Sequence, residues 1–570
     1  MLGRLLFLAT GALSAAVNLT GYEYIVVGSG AGGGPLAARL ALAGHKTLLL
    51  ESGDDQGLNP NYTMAWNFFV RHYADDARQA LDYKTTYTTP EGEEYIGLNP
   101  PAGSSMKGIL YPRTNTLGGC TAHNALIAVY PDRSDFEYIA NLTGDDSWAP
   151  DNMRPYFAKL ENNHYLLPGA TGHGYDGWLS TEYAPINLVL QDPQFLSLVL
   201  GGAFALGNLT DTIFNLATLL AGDANADTAS RDSQPGYYQI PISTSSASRN
   251  GAREFLMAVH SATNSDGSQT REVIISGGVY NSPQLLKLSG IGPAAELTSH
   301  NIPVLVDLPG VGTNLQDHYE INVQGHTPAN FSILNGCTFD DTSDPCLTRW
   351  ENPTLIPHDR GTYSSAGFAT TMFYKSTASS DNNYDVFIFG APINFRGYFP
   401  GYSVNISARH DWFTWAMLKS HPRNRAGTVT LRSNDPLDVP DILFNYFDTG
   451  SEGSDKDLQA LYEAVEIGRD AFARQLVPIE EVLPGAEVTE KEDIMKYAMD
   501  TAWGHHASCT CPIGADDDPM AVLDSKFRVR GVKGLRVVDA SVYPKIPGTF
   551  TAVSTYMVAE KAAVEILNDI

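Results

Sequence analysis

The segment Gly28-Ser-Gly30-Ala-Gly-Gly33 fits the pattern G-x-G-x-x-G, and a carboxylic acid, Glu51, follows about 20 residues on. Each position has a physical reason. The first glycine permits a tight turn, the second lets backbone approach a pyrophosphate, and the third lets helix and strand pack closely. A helix starting there aims amide groups and a partial positive charge at the phosphates. Glu51 is spaced to accept hydrogen bonds from the ribose hydroxyls of an adenosine group and to disfavour a ribose phosphate. These residues read as a binding site for an ADP moiety, and at this point NAD and FAD are both open. A glycine-rich turn without a ligand is the competing reading, and the flanking pattern weighs against it.

That flanking pattern is a βαβ unit. Tyr24 to Val27 is a short apolar run, Gly28 to Gly34 the turn, Pro35 to Ala43 helical in pattern, and Thr47 to Leu50 a second apolar run. Residues 53–112 are polar and aromatic and read as an excursion. Residues 113–165 return to a glycine turn followed by a helical pattern, 166–250 are mixed, and Val273 to Gly292 precedes the run "PGVGTNLQDH" ending at His318. Residues 330–500 are richer in Tyr, Phe, Trp and Pro and read as a second domain with a substantial sheet. The chain closes on a strand, a turn and a helix expected over Tyr556 to Leu567. A length of 570 residues suits two closely packed domains.

The formal charge of −27 makes nucleic acid and anionic membrane poor partners. Arg4, the apolar stretch Leu5 to Leu13 and the small residues Ser14-Ala15-Ala16 read as a secretory signal over residues 1–18, so a secreted protein is expected. The apolar stretch is too short to span a bilayer. Six N-x-S/T sequons, at Asn18, Asn61, Asn141, Asn208, Asn330 and Asn405, agree with export and glycosylation. Among five cysteines, Cys337 and Cys346 are placed to close a short loop, while Cys509 and Cys511 would share one face of a strand. Neither pair has zinc-ligand spacing, and no metal site is expected.

Four further segments carry chemistry: "YPRTNTLGGCTAHNALIAVYPDRSDFE" from Tyr111, "SGGVYNSPQLLKLSGIG" from Ser276, "WGHHASCTCPIG" from Trp503 and "GLRVVDASVYPKIPGTFTAVSTYMVAEKAA" from Gly534. In this order, spanning residues 22–567, they resemble the glucose–methanol–choline family of FAD-dependent alcohol oxidases and dehydrogenases, particularly its aryl-alcohol oxidase and choline dehydrogenase-like members. The resemblance implies an α/β fold: a Rossmann-like FAD-binding domain interleaved with an α+β substrate-binding domain built on an antiparallel sheet. It implies that residues 22–60, 103–165, 240–325 and 505–570 form the FAD-binding part, with 61–102, 166–239 and 326–504 forming the substrate-binding part and excursions. Gly28, Gly30, Gly33 and Glu51 match the family's ADP-binding turn and ribose acid. Leu117, Gly118, Gly119 and Asn124 match the turn passing the flavin ring, and Asp539-Ala540 the segment near it. His123 matches a histidine that in some relatives links covalently to the flavin. His506 matches the family histidine that removes the hydroxyl proton while hydride leaves the carbon for flavin N5, a task suited to imidazole. His505 is its competitor, expected to face the other way in a strand. A nicotinamide enzyme is disfavoured, because the later motifs have no role in one.

Three departures stand out. Relatives carry a second His or Asn before the final helix; here Phe550 or Ala552 occupies that place, leaving His506 alone or assisted by another polar group such as His505 or Thr551. The stretch between Met257 and Arg271 is shorter than in relatives, which would weaken the adenine end of the FAD site. Val279 replaces a smaller residue and is expected to alter packing only. The expected activity is oxidation of the CH–OH group of a small-molecule alcohol, with oxygen or a quinone as electron acceptor. The alternatives are a lyase or cyclase with structural FAD, motivated by the missing second residue, and a non-catalytic flavoprotein, motivated by the shortened stretch. Phe389, Phe395, Tyr398, Phe413 and Trp415 suggest an aromatic substrate, with sugars and choline left open; no cage for the choline cation is evident.

Overall fold

The structure is a computed structural model describing residues 21–57, 65–207, 209–246, 248–260, 271–339, 343–356, 359–379, 383–447 and 453–569. The signal segment, the sequons at Asn18, Asn61 and Asn208 and the short stretch 261–270 lie outside the described residues.

A four-stranded parallel sheet runs Thr47–Leu50, Tyr24–Val27, Glu272–Ile275, Leu535–Val537. These are short apolar runs because a parallel sheet is covered on both faces. The helix Gly33–Leu42 and the final helix Thr551–Asn568 supply cover: Leu36, Leu40, Val553 and Met557 share one core with Val26, Ile274 and Val537. The final helix starts earlier than the sequence pattern indicates, immediately after Phe550, whose extended backbone (φ −114°, ψ 134°) stands at its N-cap. All four strands end at one edge of the sheet. The Gly28 turn, Glu51, Ser276–Gly278 and Asp539–Ala540 therefore converge there although hundreds of residues separate them, the crevice in which open parallel sheets bind ligands.

The second layer is a six-stranded antiparallel sheet, in order Glu480–Leu483, Tyr319–His326, Trp412–Lys419, Val386–Ala391, Thr370–Tyr374, Gly236–Gln239. Its strand Tyr319–His326 falls almost wholly within the segment 240–325 read from the sequence as FAD-binding. Side chains alternate with period 2. Phe413, Trp415 and Met417 point to a core shared with the helices Pro193–Ala205 and Ser454–Arg474, while Ala416 and Leu418 point the opposite way, to a cluster containing Phe387, Phe389 and Phe550. The side of the sheet bearing Phe550 thus faces the crevice.

Cys337 and Cys346 form a disulfide. Cys509 and Cys511 are buried free thiols in an irregular segment, Cys509 with φ +80°, so the shared strand face expected of them is absent.

Candidate active site

One cavity of about 670 Å³ runs from the glycine turn to the two adjacent histidines. Its first end is built from glycines. A Cβ on Gly28 (φ +103°) would sit 2.1 Å from the Ser276 carbonyl oxygen, and one on Gly33 2.0 Å from that of Gly28. Neither tolerates a side chain, and Gly33 serves helix–strand packing rather than the cavity wall. Gly30 is different: the nearest atom to its Cβ position is the Gly119 Cα at 3.9 Å, so its backbone opens onto the cavity. Glu51 lines the cavity at the end of its strand, accepting from the Ser29 amide (2.9 Å) and the Ser52 amide (2.9 Å). Of the second turn, Gly119, His123 and Asn124 line the wall. Leu117 and Gly118 do not; the Gly118 amide instead donates to Ser29 Oγ (2.9 Å), stitching the two glycine turns together. Asn124 is held by Arg249, which donates to its Oδ1 (2.6 Å) and main-chain oxygen (2.8 Å). Asp539 joins the third and last motifs, accepting from the Gly278 amide (2.9 Å) and Ser282 Oγ (2.6 Å), with Ala540 on the wall beside it. Val279 packs in the core but also lines the cavity, so its effect is not confined to packing, and its carbonyl accepts from Thr510 Oγ1 (2.6 Å).

At the far end, the irregular segment carrying His505 and His506 is clamped to the start of the strand Tyr319–His326. The amides of Trp503 and Glu320 exchange hydrogen bonds with each other's carbonyls, both at 2.9 Å. The His506 amide donates to Asp317 Oδ1 (2.8 Å), and Asp317 Oδ2 accepts from the Tyr111 hydroxyl (2.8 Å), which in turn accepts from the Ala507 amide (2.7 Å). Burial pushes the Asp317 carboxyl up to about 7, against the hydrogen bonds from Tyr111 and His506.

His505 does not face the other way. The segment is not a strand, the two imidazole centroids are 3.9 Å apart, and both rings line the cavity. Behind them is Glu320, fully buried, its Oε1 3.2 Å from His505 Nδ1 and 3.7 Å from His506 Nδ1. Burial drives the Glu320 carboxyl well above the usual range. Burial, then Arg113 and His123, pulls His505 down to about 3; burial, then His505, His318 and Arg113, holds His506 well below the ordinary histidine value. Both imidazoles are therefore uncharged at neutral pH, with a lone pair available to a proton.

Phe550 stands edge-on to His506, centroids 5.0 Å apart, and Ala552 and Thr551 line the wall beyond it. A second histidine does approach His506, from another element and from outside the cavity wall: His318 Nδ1 lies 3.1 Å from His506 Nδ1. Sequence reading quoted His318 only as the end of a segment, and passed over Asp317 and Glu320. The run "QDHYE" was the available signal, but nothing in 188 residues of separation ties it to His506. Of the five aromatics singled out, Phe395 and Tyr398 line the cavity; Phe413 and Trp415 fill the opposite core and Phe389 is buried behind Phe550.

The cavity fits a dinucleotide. Its volume is that of a cofactor site, the open backbone at Gly30 is where a pyrophosphate needs access, and Glu51 stands at the ribose position. His123 Nε2, buried and without a partner, belongs to a wall residue further along. Fold and site together define a dinucleotide-binding oxidoreductase with a histidine-headed substrate end.

The sequence profile of GMC oxidoreductases matches residues 254–320 and 422–559. An oxygen-dependent choline dehydrogenase of Photobacterium profundum is 30% identical, covering 96% of this chain and 94% of its own. A formate oxidase of Aspergillus oryzae RIB40 shares the fold with a TM-score of 0.75 at 20% identity, covering 97% of this chain and 99% of its own. A fungal aryl-alcohol oxidase does so with a TM-score of 0.66 at 20% identity and the same coverages. The chain belongs to the GMC oxidoreductase family and is an FAD-dependent alcohol oxidoreductase. These relatives are oxidases and dehydrogenases, and the lyase or cyclase reading gains no support from them.

Proposed function

We propose that this protein is a secreted enzyme oxidising an aromatic or apolar alcohol, with His506 as the base that takes the hydroxyl proton. The observation carrying this reading is the uncharged imidazole of His506 at the aromatic end of a cavity continuous with the glycine cradle. Bound FAD supplies the acceptor for the two electrons released at the carbinol carbon. The chain's own residues do the rest. Phe368, Phe395, Tyr398, Tyr402 and Phe550 wall the substrate end, excluding water and holding a flat or apolar alcohol. A sugar would need polar side chains along that wall. A choline cation would need an aromatic or acidic cage; Glu320 sits behind His505 with its charge suppressed, so the aromatic faces of that wall alone would have to hold it, and choline is therefore included in the test. The alcohol proton passes to the imidazole of His506. His123 is the candidate for covalent attachment of the cofactor; flavin remaining with acid-precipitated protein would establish it, and flavin released to the supernatant would dismiss it. Export is supported by the Cys337–Cys346 disulfide, which suits an oxidising compartment, and by the exposed sequon residues Asn141 and Asn330.

The test is anaerobic mixing of the flavin-loaded protein with aryl, aliphatic and sugar alcohols and choline, following visible flavin absorption. Bleaching by aryl alcohols is expected. Bleaching by choline or sugars alone would overturn the substrate reading. Readmitting air then distinguishes an oxidase from a dehydrogenase using another acceptor such as a quinone.

A further inference from the structure

The contact between His318 and His506 is between like atoms. Two Nδ1 nitrogens 3.1 Å apart can share one proton only: two lone pairs repel and two N–H groups collide. One ring must donate and the other accept, so the contact fixes the tautomer of both. His318 is fully buried and does not line the cavity. Its other nitrogen, Nε2, is buried without a hydrogen-bond partner; because Nδ1 faces His506, an acceptor acting on the ring, as the Pro547 carbonyl does, acts from the Nε2 side. That carbonyl can accept but never donate, so it favours a proton on His318 Nε2 and leaves Nδ1 bare. The charged and titratable groups facing the pair are His505, His421, Lys419 and Arg113, which disfavour a second proton on either ring, and Glu320, whose Oε1 lies 3.7 Å from His506 Nδ1 and whose carboxyl burial raises well above the usual range.

We propose that His318 is a positioning residue that sets the catalytic tautomer of His506, its Nδ1 accepting from His506 Nδ1–H so that the His506 Nε2 lone pair faces the cavity. The assignment rests on His506 being the base. The proton leaving the alcohol oxygen forms the new N–H bond at His506 Nε2. His506 then carries both protons as imidazolium, and the Nδ1–H···Nδ1 bond becomes charge-assisted and stronger. The stabilisation grows as the base becomes charged, and this is the form of interaction that accelerates a step rather than merely tightening binding.

The test compares wild type with H318N, H318L and H506A in anaerobic flavin reduction by a saturating alcohol, with flavin content and thermal stability as controls. Asparagine places Oδ1 where Nδ1 was and can still accept; leucine cannot. H318L is expected to reduce flavin at least about 10-fold more slowly with KM unchanged, and H318N to recover to within about 3-fold of wild type. H318L at wild-type rate, or H318N as slow as H318L, overturns the proposal while leaving His506 as base; a normal rate for H506A instead overturns the base itself. Should H318L not fold, 15N-histidine NMR of the wild type decides alone. With the His506 signals identified by their loss in H506A, a protonated Nδ1 and bare Nε2 support the assignment, and the reverse tautomer overturns it.

Discussion

Two buried histidine sites in this protein titrate in opposite directions. His173 lies between Glu161 Oε2 (2.8 Å from Nδ1) and Asp223 Oδ2 (2.9 Å from Nε2). Burial alone would lower its pKa, but the hydrogen bonds to Asp223 and Glu161 outweigh burial and push it up to about 9. The His506 side chain is also largely buried, 8% exposed against 1% for His173, and also has a carboxyl nearby, yet it is held well below the ordinary value. The difference lies in the carboxyl. Glu320 Oε1 is 3.7 Å from His506 Nδ1, beyond hydrogen-bonding distance, and burial disfavours the ionised form of that carboxyl, so it offers little support to a cation. Asp317 accepts from the His506 amide through Oδ1 rather than from its ring. At one site hydrogen-bonded carboxylates favour the charged ring; at the other burial disfavours it, which is what the proposed base requires.

The largest way to break this comparison is His506→Ala. Flavin reduction by alcohol should fall at least about 100-fold with flavin still bound, the range a general base contributes; near-normal reduction would transfer the role elsewhere. The second test is the pH profile of kcat/KM. A base loses activity as pH falls through its pKa, and the His506 pKa is depressed, so the acid limb should lie below pH 6.5. A limb at or above 6.5 would mean that the ring gains an ionised partner in the working enzyme. Third, His173→Gln should cost about 2 kcal/mol of stability, the scale of hydrogen bonds to charged groups. The sign follows from a folded pKa raised above the unfolded one: the contribution is fully present below about pH 6.5 and lost as pH rises through about 9. Denaturation of both proteins between pH 6 and 10 should show the gap closing at the alkaline end, and a gap that widens there would contradict the clamp. The smallest effect is expected for His505→Gln, less than about 5-fold on flavin reduction, since its ring is wall and neighbour rather than base; a loss matching that of His506→Ala would reverse their roles.

The dinucleotide end was legible because its information is local. The Gly28 turn, its flanking strands and Glu51 lie within 30 consecutive residues, and backbone contacts at Ser276 and Gly28 constrain Gly28 and Gly33 while Gly30 is left open to the cavity. The convergence of Ser276 and Asp539 on the same edge was readable only through family resemblance, since only the parallel pairing of Val27 with Ile275, and of Ile275 with Val537, brings them there. The final helix was placed with a late start because Thr551 to Thr555 lacks the apolar run that marks its later turns. The aromatic residues misled because periodicity says that alternate residues on a strand face alternate ways but not which way is the cavity: Phe413 and Trp415 face the helices, and Phe550 faces His506.

By itself, then, the sequence determined the cofactor cradle, the family and the histidine to watch, because short-range sterics and motif order are written along the chain. Only the tertiary structure decided what that histidine is. Its neutral state, its neighbour His505 on the same side, and its partner His318 arise from burying an irregular segment against Gln316–Glu320. Charge state and tautomer depend on distances and desolvation, and these are properties of packing rather than of spacing in the chain.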